Sequence, residues 1–334
     1  MINRLVELAD ELAQKRKQDP ELLNRMEIAS QGQSPGFLLI SPINRSSQDL
    51  QLFGMLTGDA FHGTRVPRMP ILTPELSPVL FKGPASYNRV FPKKRGVILT
   101  FEHDESDEVV KDSLENLTLH PDLKGVPISA FHVDYETGRA RIVVHGKGRS
   151  YENESWLLRR LKCPESVDTN TLVLICSDSR VQPPVTPEGL PMAIQTLGGY
   201  LPRFSGVNDE THQLSTFFKG WLTEESDKHI LIIAHGNFKD EGPSCGAATA
   251  SLNPDEVPNP ILRPIIMELQ QAALPYESRK PEIPEDRVKS LSLAIKENLL
   301  SYRSVQVYHE IHPEGFIDIL LMDTVSNVLS TAEI

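Results

Sequence analysis

The first residues that could do chemistry lie in the segment Cys176-Ser-Asp178-Ser-Arg180, which follows a short apolar run at residues 171–175. Such a run is typical of a β-strand that is buried on both faces. Because side chains alternate along an extended segment, Cys176, Asp178 and Arg180 are expected on one side of it. Arg180 can hold Asp178 in a bidentate ion pair, and a cysteine thiolate is a preferred zinc ligand. The segment therefore predicts a metal ligand beside an oriented carboxylate.

A second group, His235 and Cys245, follows another apolar run at residues 230–234. Together with Cys176, these side chains supply one nitrogen and two sulfur atoms, a donor set that suits zinc. Three protein ligands leave one tetrahedral position open, as in catalytic zinc sites, where water ionises near neutral pH. The two motifs predict a zinc centre made of Cys176, His235 and Cys245.

Simpler interpretations of the same residues stay open. In one, Cys176 is a buried cysteine beside a structural ion pair, and His235 is only a hydrogen-bonded residue at a strand end. In another, Cys245 is a nucleophile at a helix amino terminus and His235 is its base. That hypothesis leaves the first motif without a role. Cys163 is interpreted as an ordinary buried residue, and three cysteines in so long a chain argue against a disulfide framework.

The elements that carry the motifs follow an α/β pattern. A helical pattern at residues 214–222 lies between the two apolar runs, which indicates parallel strands joined by a right-handed crossover. Both motifs begin where these strands end, and open α/β sheets bind ligands at that edge. We therefore expect a central, mostly parallel sheet flanked by helices.

The rest of the C-terminal half is predicted to complete this sheet. Helical patterns occur at residues 265–273 and 288–299. Two strands at 305–308 and 316–321, joined by a turn at 312–315, are expected to close the chain as an antiparallel hairpin. Residues 151–334 are accordingly predicted to be the zinc-binding catalytic domain.

Residues 1–150 are predicted to be an N-terminal extension of helices, loops and a hairpin, with no assigned role. An amphipathic helix opens it at residues 1–16, and the proline-rich stretch 36–94 is interpreted as loops and short elements. A strand at 96–101 and a helix at 109–117 follow, and then a hairpin at 130–144. This hairpin is similar to the one expected at the C-terminus. An internal duplication would explain the similarity, but two ordinary hairpins explain it as simply, and we adopt that interpretation.

Composition limits the classes of function. The formal net charge is −11 and the sequence pI is about 5.4, so the chain has no overall basic surface for nucleic acid. No segment approaches the roughly 18 uncharged apolar residues that a membrane span needs. We expect a cytoplasmic protein that binds neither nucleic acid nor membrane.

The two motifs and their order resemble the β class of carbonic anhydrases over roughly residues 165–325. The segment 194–199, Ile-Gln-Thr-Leu-Gly-Gly, is similar to that family's Val-Arg-Asn-Ala-Gly-Asn. The resemblance implies that Zn²⁺ is bound by the two cysteines and the histidine named above, with Asp178 and Arg180 as a catalytic dyad. It also implies substrate contacts at Gly199 and Gly246 and a homodimer or higher oligomer with the pocket near the subunit interface.

The spacing of the ligands departs from the family pattern. His235 and Cys245 lie ten residues apart, whereas the family usually has three, so residues 237–244 must loop out. A wide spacing is similar to that of the carboxysome shell carbonic anhydrases, which also carry an added N-terminal region. This implies possible residence in a carboxysome and contact with its components.

The expected reaction is the reversible hydration of CO2 to bicarbonate and a proton. Two alternatives stay open: a zinc hydrolase of carbon disulfide or carbonyl sulfide, and a catalytically inactive scaffold or regulatory protein with the same fold. A further form known among relatives of the family uses Asp178 itself as the fourth zinc ligand, which would close the site.

Overall fold

The described part of the chain contains two sheets. The structure, a computed structural model, describes residues 2–88, 96–144, 166–223, 226–238, 242–279 and 281–332. Within these residues the chain forms two five-stranded sheets flanked by helices. The predicted α/β architecture is confirmed, although the sequence predicts one sheet and the structure has two. The boundary expected near residue 150 lies outside the described residues.

The first sheet consists of β1 (Phe37–Pro42), β2 (Ala60–Arg65), β3 (Gly96–Glu102), β4 (Ile128–Asp134) and β5 (Arg139–Val144). Its order is β2-β1-β3-β4-β5, with β5 antiparallel to β4 and all other pairs parallel. The helices of this half are α1 (Ile2–Arg16), α2 (Pro20–Ser30), α3 (Ser46–Leu52), α4 (Gly83–Asn88) and α5 (Asp107–Thr118). The predicted opening helix, the strand and helix near residue 100 and the following hairpin are confirmed.

The interpretation of residues 36–94 as loops and short elements misses part of a sheet, because the described residues of this stretch contain β1 and β2. Both strands are only six residues long, and prolines surround them. All six residues of β2 are buried, including polar His62, Thr64 and Arg65. Arg65 is satisfied internally, since its guanidinium donates to the Thr100 carbonyl oxygen over 2.9 Å and to Glu105 over 2.8 Å. Buried polar residues with internal partners conceal a strand from a hydrophobicity pattern.

The second sheet consists of β6 (Val167–Cys176), β7 (Leu190–Thr196), β8 (His229–Gly236), β9 (Ile317–Asp323) and β10 (Leu329–Thr331). Its order is β10-β9-β8-β6-β7, with β10 antiparallel to β9 and all other pairs parallel. The helices of this half are α6 (Asp209–Trp221), α7 (Gly246–Leu252), α8 (Arg263–Ala273), α9 (Pro284–Leu300) and α10 (Arg303–Ile311). The parallel pair β6 and β8 and the crossover helix α6 are as predicted.

The predicted strand at residues 305–308 is wrong, because this segment lies within α10. Val305 and Val307 alternate with polar residues, which favours a strand in the sequence. In the structure Tyr302 and Val305, three residues apart, are fully buried, and Tyr308 extends the same helical face. Tertiary packing has overridden the local β preference. The closing antiparallel pair therefore consists of β9 and β10.

The two sheets share one hydrophobic core, which holds the halves together. Leu38 and Phe61 of the first sheet and Leu174 and Ile194 of the second belong to the same buried cluster. Hydrogen bonds cross the same boundary, since the Ser47 hydroxyl donates to the Pro191 carbonyl oxygen over 2.6 Å. No described helix is long and apolar enough to cross a membrane.

Candidate metal centre

Three donor side chains converge at the carboxyl edge of the second sheet. Cys176 is the last residue of β6, His235 lies at the end of the neighbouring strand β8, and Cys245 immediately precedes α7. Their donor atoms lie within 4.8 Å of one another, and the two Sγ atoms are 3.9 Å apart. A tetrahedral zinc ion with two Zn–S bonds of about 2.3 Å requires its sulfurs to be about 3.8 Å apart. The residues present therefore fit zinc.

A hydroxyl group that sequence analysis missed fixes the orientation of His235. The Thr324 hydroxyl donates to the Gly236 carbonyl oxygen over 3.0 Å, so it accepts a hydrogen bond from His235 Nδ1 over 3.0 Å. This assignment puts the imidazole proton on Nδ1. His235 Nε2 is buried and has no hydrogen-bond partner among the described residues. A lone pair that is buried, oriented and unused is what a metal-ligating histidine needs.

The loop after β7 supports the other side of the centre. The Gly198 N–H donates to Cys176 Sγ over 3.2 Å. Gly198 and Gly199 have φ angles of 65° and 69°, a left-handed conformation that favours glycine. A Cβ added at Gly199 would lie 3.3 Å from the carbonyl carbon of Ile175. The close approach of this loop to β6 accounts for Gly199, and a substrate contact there stays a prediction.

Asp178 and Arg180 form the predicted ion pair in a buried setting. Arg180 Nε donates to Asp178 Oδ1 over 2.9 Å and Nη2 to Oδ2 over 2.6 Å, and both side chains are at most 2% exposed. Arg180 also donates to the carbonyl oxygens of Pro243 and Ser244 over 2.8 and 2.9 Å. Arg180 thus connects the carboxylate to the loop that presents Cys245.

The N-terminal half contributes directly to the site. Gln33, in the turn between α2 and β1, donates from Nε2 to Asp178 Oδ2 over 3.0 Å. The backbone N–H groups of Gly58 and His62 donate to the carbonyl oxygens of Ser179 and Ser177 over 2.7 and 3.0 Å. The residues around Gln33 in the sequence form no recognisable catalytic motif, so its contact with Asp178 could not be predicted.

The charges in the pocket favour a bound cation. Burial raises the pKa of the Cys176 thiol well above its ordinary value. The hydrogen bond from Cys176 lowers the pKa of Cys245 well below its ordinary value, against the opposing effect of burial. Burial opposes ionisation of Asp178, but the hydrogen bonds and charge of Arg180 hold its pKa below the ordinary value. Ionising both thiols beside this carboxylate would require more positive charge than the side chains supply, and a divalent metal ion would provide it.

A cavity of about 640 Å³ leads from the surface towards the dyad. Gln33, Arg180, Ser244 and Gly246 are among its lining residues. Gly246, the first residue of α7, thus lies beside the site, and its predicted contact with substrate is not tested. The nucleophile hypothesis for Cys245 gives no role to Cys176, whose sulfur is its neighbour. Cys163 and residues 239–241 of the inserted loop lie outside the described residues.

Fold and site together define an α/β protein with a buried Cys-His-Cys group able to hold a metal ion. No protein-family profile and no curated protein matches the sequence. Among solved structures, the chain is similar to the β-carbonic anhydrase CcaA, with 16% identity, a TM-score of 0.35 and coverage of 48% of this chain and 77% of that one.

Two fungal proteins are similar to the same extent. A tetrameric β-carbonic anhydrase of Sordaria macrospora has 15% identity and a TM-score of 0.34, with coverage of 49% of this chain and 81% of that one. The β-carbonic anhydrase CafA of Aspergillus fumigatus has 21% identity and a TM-score of 0.34, with coverage of 49% and 75%. In each case the likeness extends over about half of this chain.

Proposed function

We propose that this chain is a zinc-dependent carbonic anhydrase that catalyses the reversible hydration of CO2 to bicarbonate and a proton. The supporting observation is the convergence of Cys176, His235 and Cys245 beside Asp178, whose Oδ2 lies 4.0 Å from His235 Nε2. These three ligands would hold the ion. When bound, zinc supplies Lewis acidity and makes a nucleophile available at neutral pH.

Asp178 acts as an oriented acceptor in this proposal. Its two oxygens receive three hydrogen bonds from Arg180 and one from Gln33, which keep it ionised and fix its plane. An ionised carboxylate accepts protons and cannot donate one. Asp178 therefore accepts a hydrogen bond from the attacking water and fixes which lone pair faces the carbon of CO2. The intact pair with Arg180 supports the open form of the site, in which Asp178 is not itself a ligand.

The surroundings exclude bulk water from the reacting atoms. Cys176, Cys245, His235 and Asp178 are each at most 4% exposed. Electrostatic interactions are stronger in a site that excludes water. The transfer of a small uncharged molecule such as CO2 from water into this site costs little free energy. The resemblance of the motifs to the β class supports this assignment, and substrate contacts at Gly199 and Gly246 are part of the proposal.

The test is zinc content per chain together with CO2 hydration followed by stopped flow. The proposal predicts close to one zinc and rapid hydration for the wild type, and loss of hydration in Asp178→Ala and Cys245→Ser. Asp209→Ala, which removes an exposed carboxylate from the first turn of α6, is the matched control and keeps full activity. Zinc without turnover would favour a scaffold or a hydrolase of carbon disulfide or carbonyl sulfide. Absence of zinc would refute the site.

Three expectations stay predictions. A cytoplasmic location rests on the composition of the sequence. Residence in a carboxysome with its components as partners, and a homodimer or higher oligomer, rest on the resemblance.

A further inference from the structure

The two sheets repeat one topology. Written from the inner edge outwards, the first is β2-β1-β3-β4-β5 and the second is β7-β6-β8-β9-β10. In each, the strand that comes first in the chain pairs in parallel with the second and third, the third with the fourth, and the fifth runs antiparallel. The repeat in the structure covers five strands with the same order and directions, whereas the sequence shows only two similar hairpins. The structure favours the internal duplication over two ordinary hairpins.

Strand registers identify the positions in the first half that correspond to the metal ligands. Cys176 pairs with Thr196 at the ends of β6 and β7, as Pro42 pairs with Arg65 at the ends of β1 and β2. Pro42 therefore corresponds to Cys176. When the pairing of β1 with β3 is compared with the pairing of β6 with β8 in the same way, Glu102 corresponds to His235. Cys245 precedes the first helix after β8, and Ser106 precedes the first helix after β3.

These counterparts do not form a metal site. Pro42 has no donor atom in its side chain, and Glu102 is occupied by Arg45 Nε at 2.8 Å and Asn44 Nδ2 at 3.2 Å. Within the described residues, no group besides the Cys-His-Cys centre brings three His, Cys, Asp or Glu donors together in this way. As far as the described residues go, only the second half therefore brings together ligands for zinc.

The first half instead supplies hydrogen-bond donors to the site in the second half. Gln33 donates to Asp178, and Gly58 and His62 donate to the carbonyl oxygens on either side of it. The contact continues along β7, where the Ser46 hydroxyl donates to Gln195 Oε1 over 2.6 Å. Buried carbonyl and carboxylate groups without such donors would each cost about 1–3 kcal/mol. The catalytic motif thus depends on donors that the second half lacks.

We infer that residues 2–144 are a metal-free copy of the unit that forms the catalytic half, and that they complete the zinc site in cis. The equivalent edge strands β2 and β7 meet at the boundary between the halves, where the Gln195 N–H donates to the Thr64 hydroxyl oxygen over 3.3 Å. A symmetric dimer would join two subunits through the same patch on each. In this proposal each chain therefore has one complete site and shares no site residue with another chain. Association of chains, where it occurs, leaves the site unchanged. The activity measurement that tests this rests on the proposed function, whereas the spectroscopic one does not.

The test uses the full chain carrying Gln33→Glu, with Gln31→Glu as the matched control on an exposed position of the same segment. A second carboxylate against Asp178 Oδ2 repels it at short range in a buried setting. We expect CO2 hydration to fall at least about tenfold in Gln33→Glu and to stay within about twofold in Gln31→Glu. The visible spectra of the Co²⁺-substituted proteins detect the same change at the metal site independently of catalytic activity. We expect the absorption bands to shift in Gln33→Glu and to stay unchanged in Gln31→Glu.

Co-expression then separates a site completed in cis from one completed by another chain. Gln33→Glu is paired with Cys245→Ser, and in a second experiment with Asp178→Ala, which keeps the metal ligands. The inference predicts that the mixture has only the mean activity of its two components. Exchange of halves between chains would restore about a quarter of the wild-type sites by random pairing. That recovery, two zinc ions per chain, or unchanged cobalt spectra in Gln33→Glu would overturn the inference.

Discussion

Replacing Thr324 by valine removes one hydroxyl group and keeps the shape of the side chain. In the wild type this hydroxyl accepts from His235 Nδ1 and donates to the Gly236 carbonyl oxygen, both over 3.0 Å. The Gly236 oxygen keeps a partner in the variant, since the Thr324 backbone N–H donates to it over 2.9 Å. The change therefore acts mainly on the imidazole.

The magnitude follows from where the imidazole proton can go. Without zinc, the proton of the variant His235 can move to Nε2, which faces the cysteine sulfurs, so the apo protein loses little stability. Zinc binding forces the proton back to Nδ1, where the buried N–H then has no acceptor, at a cost of about 1–3 kcal/mol. We expect zinc affinity to fall about 10- to 100-fold, as for other partners of metal-ligating histidines. The free energy of unfolding of the apo protein should change by less than about 1 kcal/mol.

The assay is competition for zinc against a chelator of known affinity, alongside urea unfolding of the apo protein. Thr324→Ser keeps the hydroxyl and should bind zinc like the wild type. Thr216→Val, which removes an exposed hydroxyl bonded to the His212 carbonyl oxygen, controls for the substitution itself. Zinc affinity of Thr324→Val within twofold of the wild type would refute the assigned role of Thr324.

Three further outcomes are expected. Arg180→Lys loses the bidentate pair and should lower CO2 hydration about 10- to 100-fold, with zinc content kept, by stopped flow and metal analysis. Gly199→Ala puts a Cβ at positive φ against β6 and should cost about 1–3 kcal/mol in urea unfolding, unlike Gly206→Ala in open space. Burial raises the pKa of Glu210 to about 7. The folded state thus holds this proton more tightly than the unfolded state, so stability falls as pH rises from about 4.5 to 7. In Glu210→Gln the fall in the free energy of unfolding over this pH range should be roughly 3 kcal/mol smaller, as measured by unfolding at several pH values. A fall as large as that of the wild type would contradict the raised pKa of Glu210.

The convergence of Cys176, His235 and Cys245 could be predicted because these residues and the ion pair lie in two short segments. Cys176 and His235 each follow an apolar run that is typical of a buried parallel strand. The carboxyl ends of such strands lie at the same edge of the sheet. The pair of Asp178 and Arg180 lies in the same segment as Cys176. Thiolate, imidazole and a fixed ion pair are rare enough together to indicate a site from the sequence alone.

The supporting residues could not be predicted, because single common polar residues carry no spacing signal. Thr324 lies 89 residues from His235, and Gln33 lies 145 residues from Asp178. Their roles arise only when β9 pairs with β8 and when the first half packs on the second. The first sheet was concealed for a related reason, since β1 and β2 are short and β2 buries polar residues with internal partners.

The most direct test of the central claim is exchange of ¹⁸O between labelled CO2 and water, followed by mass spectrometry with the zinc-loaded full chain. We expect rapid loss of label that requires zinc, is abolished in Cys176→Ser and persists in Asp209→Ala. Loss of label no faster than in buffer, from a protein shown to carry one zinc per chain, would contradict it.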